Sequence, residues 1–487
     1  MSLSLALNSA TSGLATNAQQ TAIVARNITG ASEAGFNRKT ALVATSGLGT
    51  SFVASIGRAA DRALFTRMIE ATSDAAARTA YLDGLQRLAA TIGDPQDDYS
   101  VAGALGAFSN ALQMQAETPS DPILAAASLS RAKDLAERIG NAAQTVQGAR
   151  AIADAEMATS VDTINDLLAR FETVNRAIVV GTTTGADITD HLDTRERILT
   201  ALSREIGITT LTRGDNDMVI YTDSGVTLFE RSARAVTFER TFAYQAGLPG
   251  KNVFADGVPI VGPDATMRVK SGALAGHAAL RDVAAPTYQR QIDEIARGLI
   301  MAFAESDVSG GGGPDLAGLF GWPGGPALPG ALPIDGLAST IRVNPLADPE
   351  TGGALALIRD GGFNGAAYVA NGTGAASFSD RLRGMLAALE APQAFDPGAG
   401  VNPSASLSRF AASSVSWLEA ARQHADREAT YHTTFLERTA EALSNKTGVN
   451  LDEELALMLE LERSYGASAR IIKAVDTMLA ALLDAVR

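Results

Sequence analysis

Histidines and carboxylates are the side chains of this sequence that could carry out acid–base or metal chemistry. The chain has four histidines: His191, His277, His424 and His432. Only the last two share a predicted helix, and they are eight residues apart, two turns rather than the single turn that separates two zinc-binding histidines on one helix. The three acidic residues at 452–454 point in different directions around a predicted helix. Their negative charge is stabilising there, because the N-terminus of a helix carries partial positive charge. We therefore predict no metal site and no catalytic centre, so the protein is not expected to be an enzyme.

Two glycine-rich segments are candidates for binding phosphate. They are the four glycines at 310–313 and the stretch GLPGK at 247–251. Neither has the G-x-x-x-x-G-K-[ST] spacing that lets backbone amides surround phosphate groups, and the G-x-S-x-G nucleophile motif is absent from the sequence. With no cysteine in the chain, thiolate metal sites and disulfides are also excluded. We predict loops here and no cofactor.

The charge balance limits the partners that this chain can have. It has 54 acidic and 40 basic residues, a net charge of -14, and lacks the basic surface that binding to nucleic acid requires. No stretch reaches the roughly 18 to 20 apolar residues of a membrane span. The absence of Lys and Arg before Arg26 argues against a cleaved signal peptide. We expect neither nucleic acid nor membrane as a partner, and export, if it occurs, with the N-terminal segment retained.

Apolar residues recur at helical spacing at both ends of the chain, in a stripe narrow enough to be a coiled-coil seam. The N-terminal stripe comprises Leu3, Leu7, Ala10, Leu14, Thr21, Val24 and Ile28. The C-terminal stripe comprises Leu451, Leu455, Met458, Tyr465, Ala469, Ile472, Leu479 and Leu483, and is widened by Leu461, Val475 and Leu482. Asn450 is a predicted N-cap, with Glu453 as the acidic residue that returns to it. Each stripe must pack against the other or against copies in other subunits.

The residues between these ends read as helical, then β-rich, then helical again. The patterns predict a helix from Phe65 that stops at 93–95, a second at about 101–116, and a third from Pro122 onward with Asp121 as its N-cap. Short strands are predicted over 206–270. Further helices are predicted at about 284–305, near Phe378 and at about 405–445. The predicted fold is mainly α with a β-rich insertion. The predicted domains are a terminal coiled coil (1–45 with 446–487), a helical bundle (46–205, 271–307 and 376–445), a strand region (206–270) and an irregular outer insertion (308–375).

The two ends together resemble the axial proteins of the bacterial flagellum, the family of rod, hook and hook-associated proteins. In that family the N-terminal helix ends in the turn Asn-Ile-Ala-Asn-Ala-Asn-Thr-Pro-Gly-Tyr-Ser-Arg. Here Asn27, Ile28, Ala31, Gly35 and Arg38 match it, and Phe36 replaces the tyrosine. Ala34 replaces the usual proline and Gly30 an asparagine. The stretch GVNLDEELALMLELERSYGASARIIKAVDTMLAALL (448–483) is similar to the family's C-terminal motif.

Interior segments resemble one branch of that family, hook-associated protein 1. They are the segments 193–230, which begins DTRERILTALS, and 271–305, which begins SGALAGHAALRD, and the stretch IRVNPLADP (341–349). The resemblance implies a structural subunit of the extracellular flagellum that forms a ring at the hook-filament junction and is exported by the flagellar type III apparatus. The implied partners are further copies of the chain, the hook protein, the second junction protein (hook-associated protein 3) and an export chaperone. Two alternatives remain: a hook or distal-rod protein and, more remotely, a secreted cell-wall hydrolase.

This interpretation assigns an assembly interface to both termini. Its predicted residues are Leu3, Leu7, Leu14, Asn27, Ile28, Gly35, Phe36, Arg38, Asn450, Leu451, Leu455, Met458, Tyr465, Ile472, Met478, Leu479 and Leu482.

Overall fold

The computed structural model describes residues 3–47, 49–92 and 100–485, in which long helices predominate. The helices are α1 (Leu3–Gly30), α2 (Arg62–Ile92), α3 (Val101–Glu117), α4 (Pro122–Thr184), α5 (Thr189–Glu205), α6 (Ala273–Ala279), α7 (Ala285–Ala302), α8 (Leu337–Thr340), α9 (Ala356–Asp360), α10 (Asp380–Glu390), α11 (Leu407–Thr447) and α12 (Leu451–Ala485). The predicted stop signal at 93–95 lies outside the described residues.

Short antiparallel strands account for the β structure. They are β1 (Lys39–Thr45), β2 (Ser51–Arg58), β3 (Ile208–Thr212), β4 (Met218–Thr222), β5 (Thr227–Glu230), β6 (Ser232–Ala233), β7 (Val236–Phe238), β8 (Val253–Ala255), β9 (Val258–Val261), β10 (Phe320–Gly321), β11 (Arg342–Val343), β12 (Gln393–Ala394) and β13 (Ser404–Ala405). The strands β3 to β6 form one sheet in sequence order, and β7 to β9 form a second. The chain is therefore mainly α with a β-rich insertion, as predicted.

The helix starts that were predicted from capping residues are confirmed. The Asp121 side chain accepts a hydrogen bond from the Ile123 amide (2.8 Å) and Pro122 occupies the first turn of α4, where the missing proline N–H needs no partner. Asn450 Oδ1 accepts from the amide of Asp452 (3.0 Å) at the start of α12. Helix α4 runs for 63 residues until Gly185, whose positive φ (76°) ends it.

Helix α4 connects two hydrophobic cores because its buried face continues along most of its length. Its first half packs with α2, α3, α7 and α11 around the rings of Phe108, Phe303 and Phe320, whose centroids are 5.2–5.6 Å apart. Its second half packs with α5 and strands β3 to β9, with Phe171 against Phe229 (4.9 Å). The strand insertion is therefore anchored on the same helix as the helical core.

Three features differ from the sequence-based expectations. The hairpin of β1 and β2, which lies against α1, was not predicted. The helix expected at 284–305 begins earlier, at Ala273, and passes through a π-helical turn at Leu280–Ala284 before it ends at Ala302. Helix α1 continues through Asn27 to Gly30, so the first four positions of the motif that was interpreted as a turn lie within the helix. The predicted division into domains remains a prediction.

Candidate assembly interface

The first and last helices form an antiparallel pair. Asn17 Nδ2 donates to Ser464 Oγ (2.8 Å), and Asn27 Nδ2 donates to Glu454 Oε2 (3.0 Å). Near the start of α1, Gly13 lies against Ser468. Residue numbers therefore rise along α1 as they fall along the facing side of α12, so the two ends of the chain are joined side by side as the sequence predicted.

Only part of the predicted stripe of α12 faces α1. The buried residues of α12 are Glu454, Leu461 and Val475, which are spaced in multiples of seven and so lie on one side of the helix. Most residues of the predicted C-terminal stripe are exposed instead, and Met458 and Ile472 are half-buried. The large apolar residues of the stripe and of the predicted interface that are exposed on α12 are Leu451, Leu455, Tyr465, Met478, Leu479, Leu482 and Leu483. Leu461 and Val475, which widen the stripe, therefore make the contact with α1, and a contact of the exposed members with other subunits, the alternative that the sequence left open, remains a prediction.

The N-terminal stripe is divided between two neighbours in its own chain. Helix α1 packs against α12 and also against the β1–β2 hairpin, where Thr16 Oγ1 donates to the Ser51 carbonyl (2.9 Å). Of the predicted interface residues on α1, Asn27 is buried, whereas Leu3, Leu7, Leu14 and Ile28 are half-buried. Their place at an interface between subunits remains a prediction.

The turn after α1 is held by a buried polar cluster that fixes the helix pair. Asn27 accepts from the Lys39 amide (2.9 Å) and donates to the Lys39 carbonyl (2.8 Å). Arg38 binds Glu454 (Nε to Oε1, 2.6 Å) and Glu453 (3.3 Å), and its amide donates to the Thr447 carbonyl (2.9 Å). Glu453, predicted to return to the helix cap, therefore forms an ion pair with the turn. Arg38 connects the end of α11, the start of α12 and the turn itself.

Lysine and arginine side chains join the same turn to α5. The buried ammonium of Lys39 lies 2.7 Å from Asp190 and 3.0 Å from Asp193. Arg58 binds Asp193 (2.9 Å) and also pairs with Glu196. Buried charges are stable only when they are paired, so this cluster holds the terminal helices against α5. We call it the terminal lock, which comprises Asn27, Arg38, Lys39, Arg58, Asp190, Asp193, Glu196 and Glu454.

Glycine and phenylalanine in the turn have a packing role. A Cβ on Gly30 would lie 2.4 Å from the Phe36 ring, so only glycine allows this approach. The ammonium of Lys39 lies 3.7 Å from the centre of that ring, a cation–π contact. Gly35 has a positive φ of 76°, the conformation that favours glycine. Thus Asn27, Gly35, Phe36 and Arg38, which the motif singled out, all serve contacts within the chain; an additional role between subunits remains a prediction.

We expect the terminal lock to lose stability in acid through Asp190. Burial alone would raise the pKa of Asp190, but hydrogen bonds and charges from Arg26 and Lys39 outweigh it and lower the pKa to about 2. A lowered pKa stabilises the folded state above the ordinary value of 3.8, and this stabilisation is lost as the pH falls through about 2. Asp190→Asn should therefore destabilise the protein at pH 7, by about 1 kcal/mol or less because the carboxylate is largely exposed.

Urea unfolding of both proteins across pH tests this expectation. The difference between wild type and Asp190→Asn should shrink between about pH 4 and pH 2. Asp166→Asn, which removes an exposed carboxylate on α4 (69% exposed), should change the free energy of unfolding by less than about 0.5 kcal/mol at pH 7. Equal stability of wild type and Asp190→Asn at pH 7 would contradict the ion pairs described here.

A second buried cluster lies in the helical core and was not found from the sequence. Arg281, in the π-helical turn, and Asp154, on α4, are fully buried and 2.8 Å apart. Asp154 also accepts from the Tyr244 hydroxyl and the Thr241 amide (both 2.7 Å), and burial raises the pKa of Tyr244 to about 12. The SGALAGHAALRD segment was recognised as a motif, but its arginine has partners far away in the sequence.

Two carboxylates of α7, Asp293 and Glu294, are buried and have partners within the chain. Glu294 binds Arg297 and the Asp396 amide (2.7 and 2.8 Å). Asp293 accepts from the Gly336 and Ala338 amides (3.0 and 2.8 Å). Burial lowers the pKa of His277. Among residues 3–47, 49–92 and 100–485, no three His, Asp or Glu side chains converge as metal ligands. In the same residues, no helix has the length and apolarity needed to cross a membrane.

Comparison with known proteins identifies the family. A profile described as the flagellar hook-associated protein FlgK helical domain matches residues 69–319, which is more than half of the chain. The chain belongs to the FlgK family. A second profile, the C-terminal region of the flagellar basal body rod FlgEFG proteins, matches residues 442–485 and therefore covers α12. A search among curated protein sequences returns no match.

The fold is also similar to a solved structure of this family. The flagellar hook junction protein FlgK from Burkholderia pseudomallei is 12% identical, with a TM-score of 0.55 over 77% of this chain and 99% of that one. FlgK-family proteins are structural components of the extracellular bacterial flagellum, and the chain has a structural role at the hook-filament junction. The match to the helical domain favours this role over that of a hook or rod protein.

Proposed function

We propose that this chain assembles as a ring of identical subunits between hook and filament, and that the filament cannot form without it. The observation that carries this proposal is the exposed apolar surface of α12. Leu455, Leu459 and Leu482 are 49%, 57% and 60% exposed, although α12 already packs on α1. Exposed leucines that recur along a helix which already packs on a neighbour are typical of a contact with another chain.

The assembled ring has partners on both sides. The hook protein lies below it and the second junction protein, hook-associated protein 3, lies above it. Before assembly, a dedicated export chaperone binds the chain, which leaves the cell through the flagellar type III apparatus with its N-terminal segment uncleaved. The apolar faces of α1 and α12 supply the contacts between copies. Because these faces become fully buried only on assembly, the stability of the two helices is coupled to the free energy of assembly.

The protein performs no catalysis in this proposal. Three of its buried carboxylates, Asp154, Asp293 and Glu294, are each satisfied by partners in the chain, and the work of the protein is to hold two different assemblies together. The terminal lock orients the helix pair for that purpose, and the predicted interface residues that remain exposed on α12 make the contacts.

Deleting the gene in its own host tests this proposal. We expect electron micrographs to show bare hooks, and unpolymerised flagellin to accumulate in the medium. Loss of the hook itself would instead indicate a hook or rod protein, and normal motile filaments would contradict any role in assembly. Expression of the intact chain from a plasmid should restore filaments.

A further inference from the structure

The outward face of α12 separates its charges into an acidic and a basic half. Residues 451–462 contain five acidic residues and no basic one, whereas residues 463–475 contain three basic residues and no acidic one. The members are Asp452, Glu453, Glu454, Glu460 and Glu462 in the acidic half, and Arg463, Arg470 and Lys473 in the basic half. Charges on an ordinary exposed helix alternate in sign and pair at one-turn spacing. Glu460 and Arg463, and Lys473 and Asp476, have this spacing, but neither pair forms an ion pair in the described part of α12.

Several of these charges have no partner in their own chain. Glu453 and Glu454 bind Arg38. In contrast, Glu460, Glu462, Arg470 and Lys473 are exposed and form no ion pair with any other described residue. The terminal lock therefore pairs only with charges in the first turn of α12. Charged side chains in both the acidic and the basic half remain available to a partner.

The unpaired charges lie beside exposed leucines on the side away from α1. With 3.6 residues per turn, Leu455, Leu459, Glu462, Arg470 and Lys473 lie on one side of α12, at least about 100° around the helix from the buried Leu461. The surface thus combines exposed leucines with unpaired charges of both signs, which is the composition of a specific protein interface rather than of a solvated helix face.

We propose that the basic half of this face binds the acidic half of the same face on a neighbouring copy of the chain. Charge complementarity identifies the partner, because each copy of the chain carries both an acidic and a basic half. The net charge of -14 makes two copies repel each other wherever their acidic surfaces meet. Two parallel copies at the same level would place like charges side by side. An offset of about 12 to 17 Å, the rise between Glu462 and Arg470 or Lys473 on a helix, places opposite charges together.

Charge reversal provides the test, which rests on the proposed self-assembly. Glu460→Lys with Glu462→Lys replaces the two unpaired acidic residues of the acidic half by basic ones, and Arg470→Glu with Lys473→Glu replaces the two unpaired basic residues of the basic half by acidic ones. Each double variant should be exported but retained on isolated hooks at least about tenfold less than the wild type. The quadruple variant exchanges the signs of these four charges, so opposite charges face each other again between copies, and its retention should recover to near the wild-type amount.

Quantitative immunoblots of isolated hooks and of the medium measure retention and export in the deletion strain. Glu156→Lys with Asp162→Lys, the same charge change on exposed positions of α4, should retain the wild-type amount. Unchanged retention of both double variants, or a quadruple variant no better than either, overturns this inference but not the proposed function. Wild-type chain absent from hooks would instead overturn the proposed function. Equal circular dichroism and urea midpoints of the purified variants show that folding is unaffected.

Discussion

Replacing Arg281 by methionine is expected to lower the free energy of unfolding by about 3 to 5 kcal/mol. Arg281 and Asp154 are both fully buried, so removing the guanidinium leaves a carboxylate without its charged partner in the core. The same arginine donates to the Lys251 carbonyl (2.9 Å) and to Asp282 (2.8 Å). Its loss therefore also releases the loop before β8 from the helix that starts at Ala273. Urea unfolding, followed by circular dichroism, measures the change.

A matched pair of variants separates burial from charge in this prediction. Arg176→Met breaks an ion pair with Glu172 on α4, but that arginine is 72% exposed, so the expected change is below about 1 kcal/mol. Combining Arg281→Met with Asp154→Asn removes the buried charge that the single variant leaves unpaired, and should recover part of the lost stability. A change below about 1 kcal/mol for Arg281→Met would contradict the buried cluster as described.

Replacing Leu459 by asparagine is expected to abolish most filament assembly while leaving the monomer as stable as the wild type. Leu459 is 57% exposed on the outward face of α12, so it contributes little to the fold of its own chain. Burying a leucine side chain at an interface contributes about 1.5 to 3 kcal/mol, which weakens each contact between copies by about tenfold to a hundredfold when it is lost. Filament counts per cell in electron micrographs, together with swimming assays, measure the effect.

Leu211→Asn is the control for this prediction. Leu211 is also 57% exposed, but it lies on β3, outside the terminal helices. It should leave filament number and swimming unchanged, whereas Leu455→Asn with Leu459→Asn should have a larger effect than Leu459→Asn alone. Normal filaments on cells that express the α12 double variant would show that this face has another role.

Local signals predicted much of the helical architecture. Asp121 with Pro122 and Asn450 with its acidic neighbours predicted two helix starts correctly, because a cap depends on residues within one turn. The β1–β2 hairpin was missed because TALVATSGLGTSFVASI (40–56) lacks a clean alternation of apolar and polar residues. The early start of α6 was missed because Gly272, with a φ of 88°, precedes a stretch with no capping side chain.

Long-range contacts set the limit of what could be predicted at the interface. The two terminal stripes showed that α1 and α12 must be buried, but two adjacent rows of α12 are both apolar. Only the contacts of Glu454 with Asn27 and Arg38 select the row of Leu461 and Val475. The partners of Arg281 were equally hidden, since Asp154 is 127 residues away along the chain. A motif marks such residues but does not say what they bind.

Immunogold labelling of isolated hook-filament structures tests the central claim most directly. Antibodies raised against the helical region matched by the FlgK profile, residues 69–319, should label one discrete band where the hook meets the filament. Label distributed along the hook, along the filament or at the rod, with none at the boundary, would contradict the assignment of this chain to the junction.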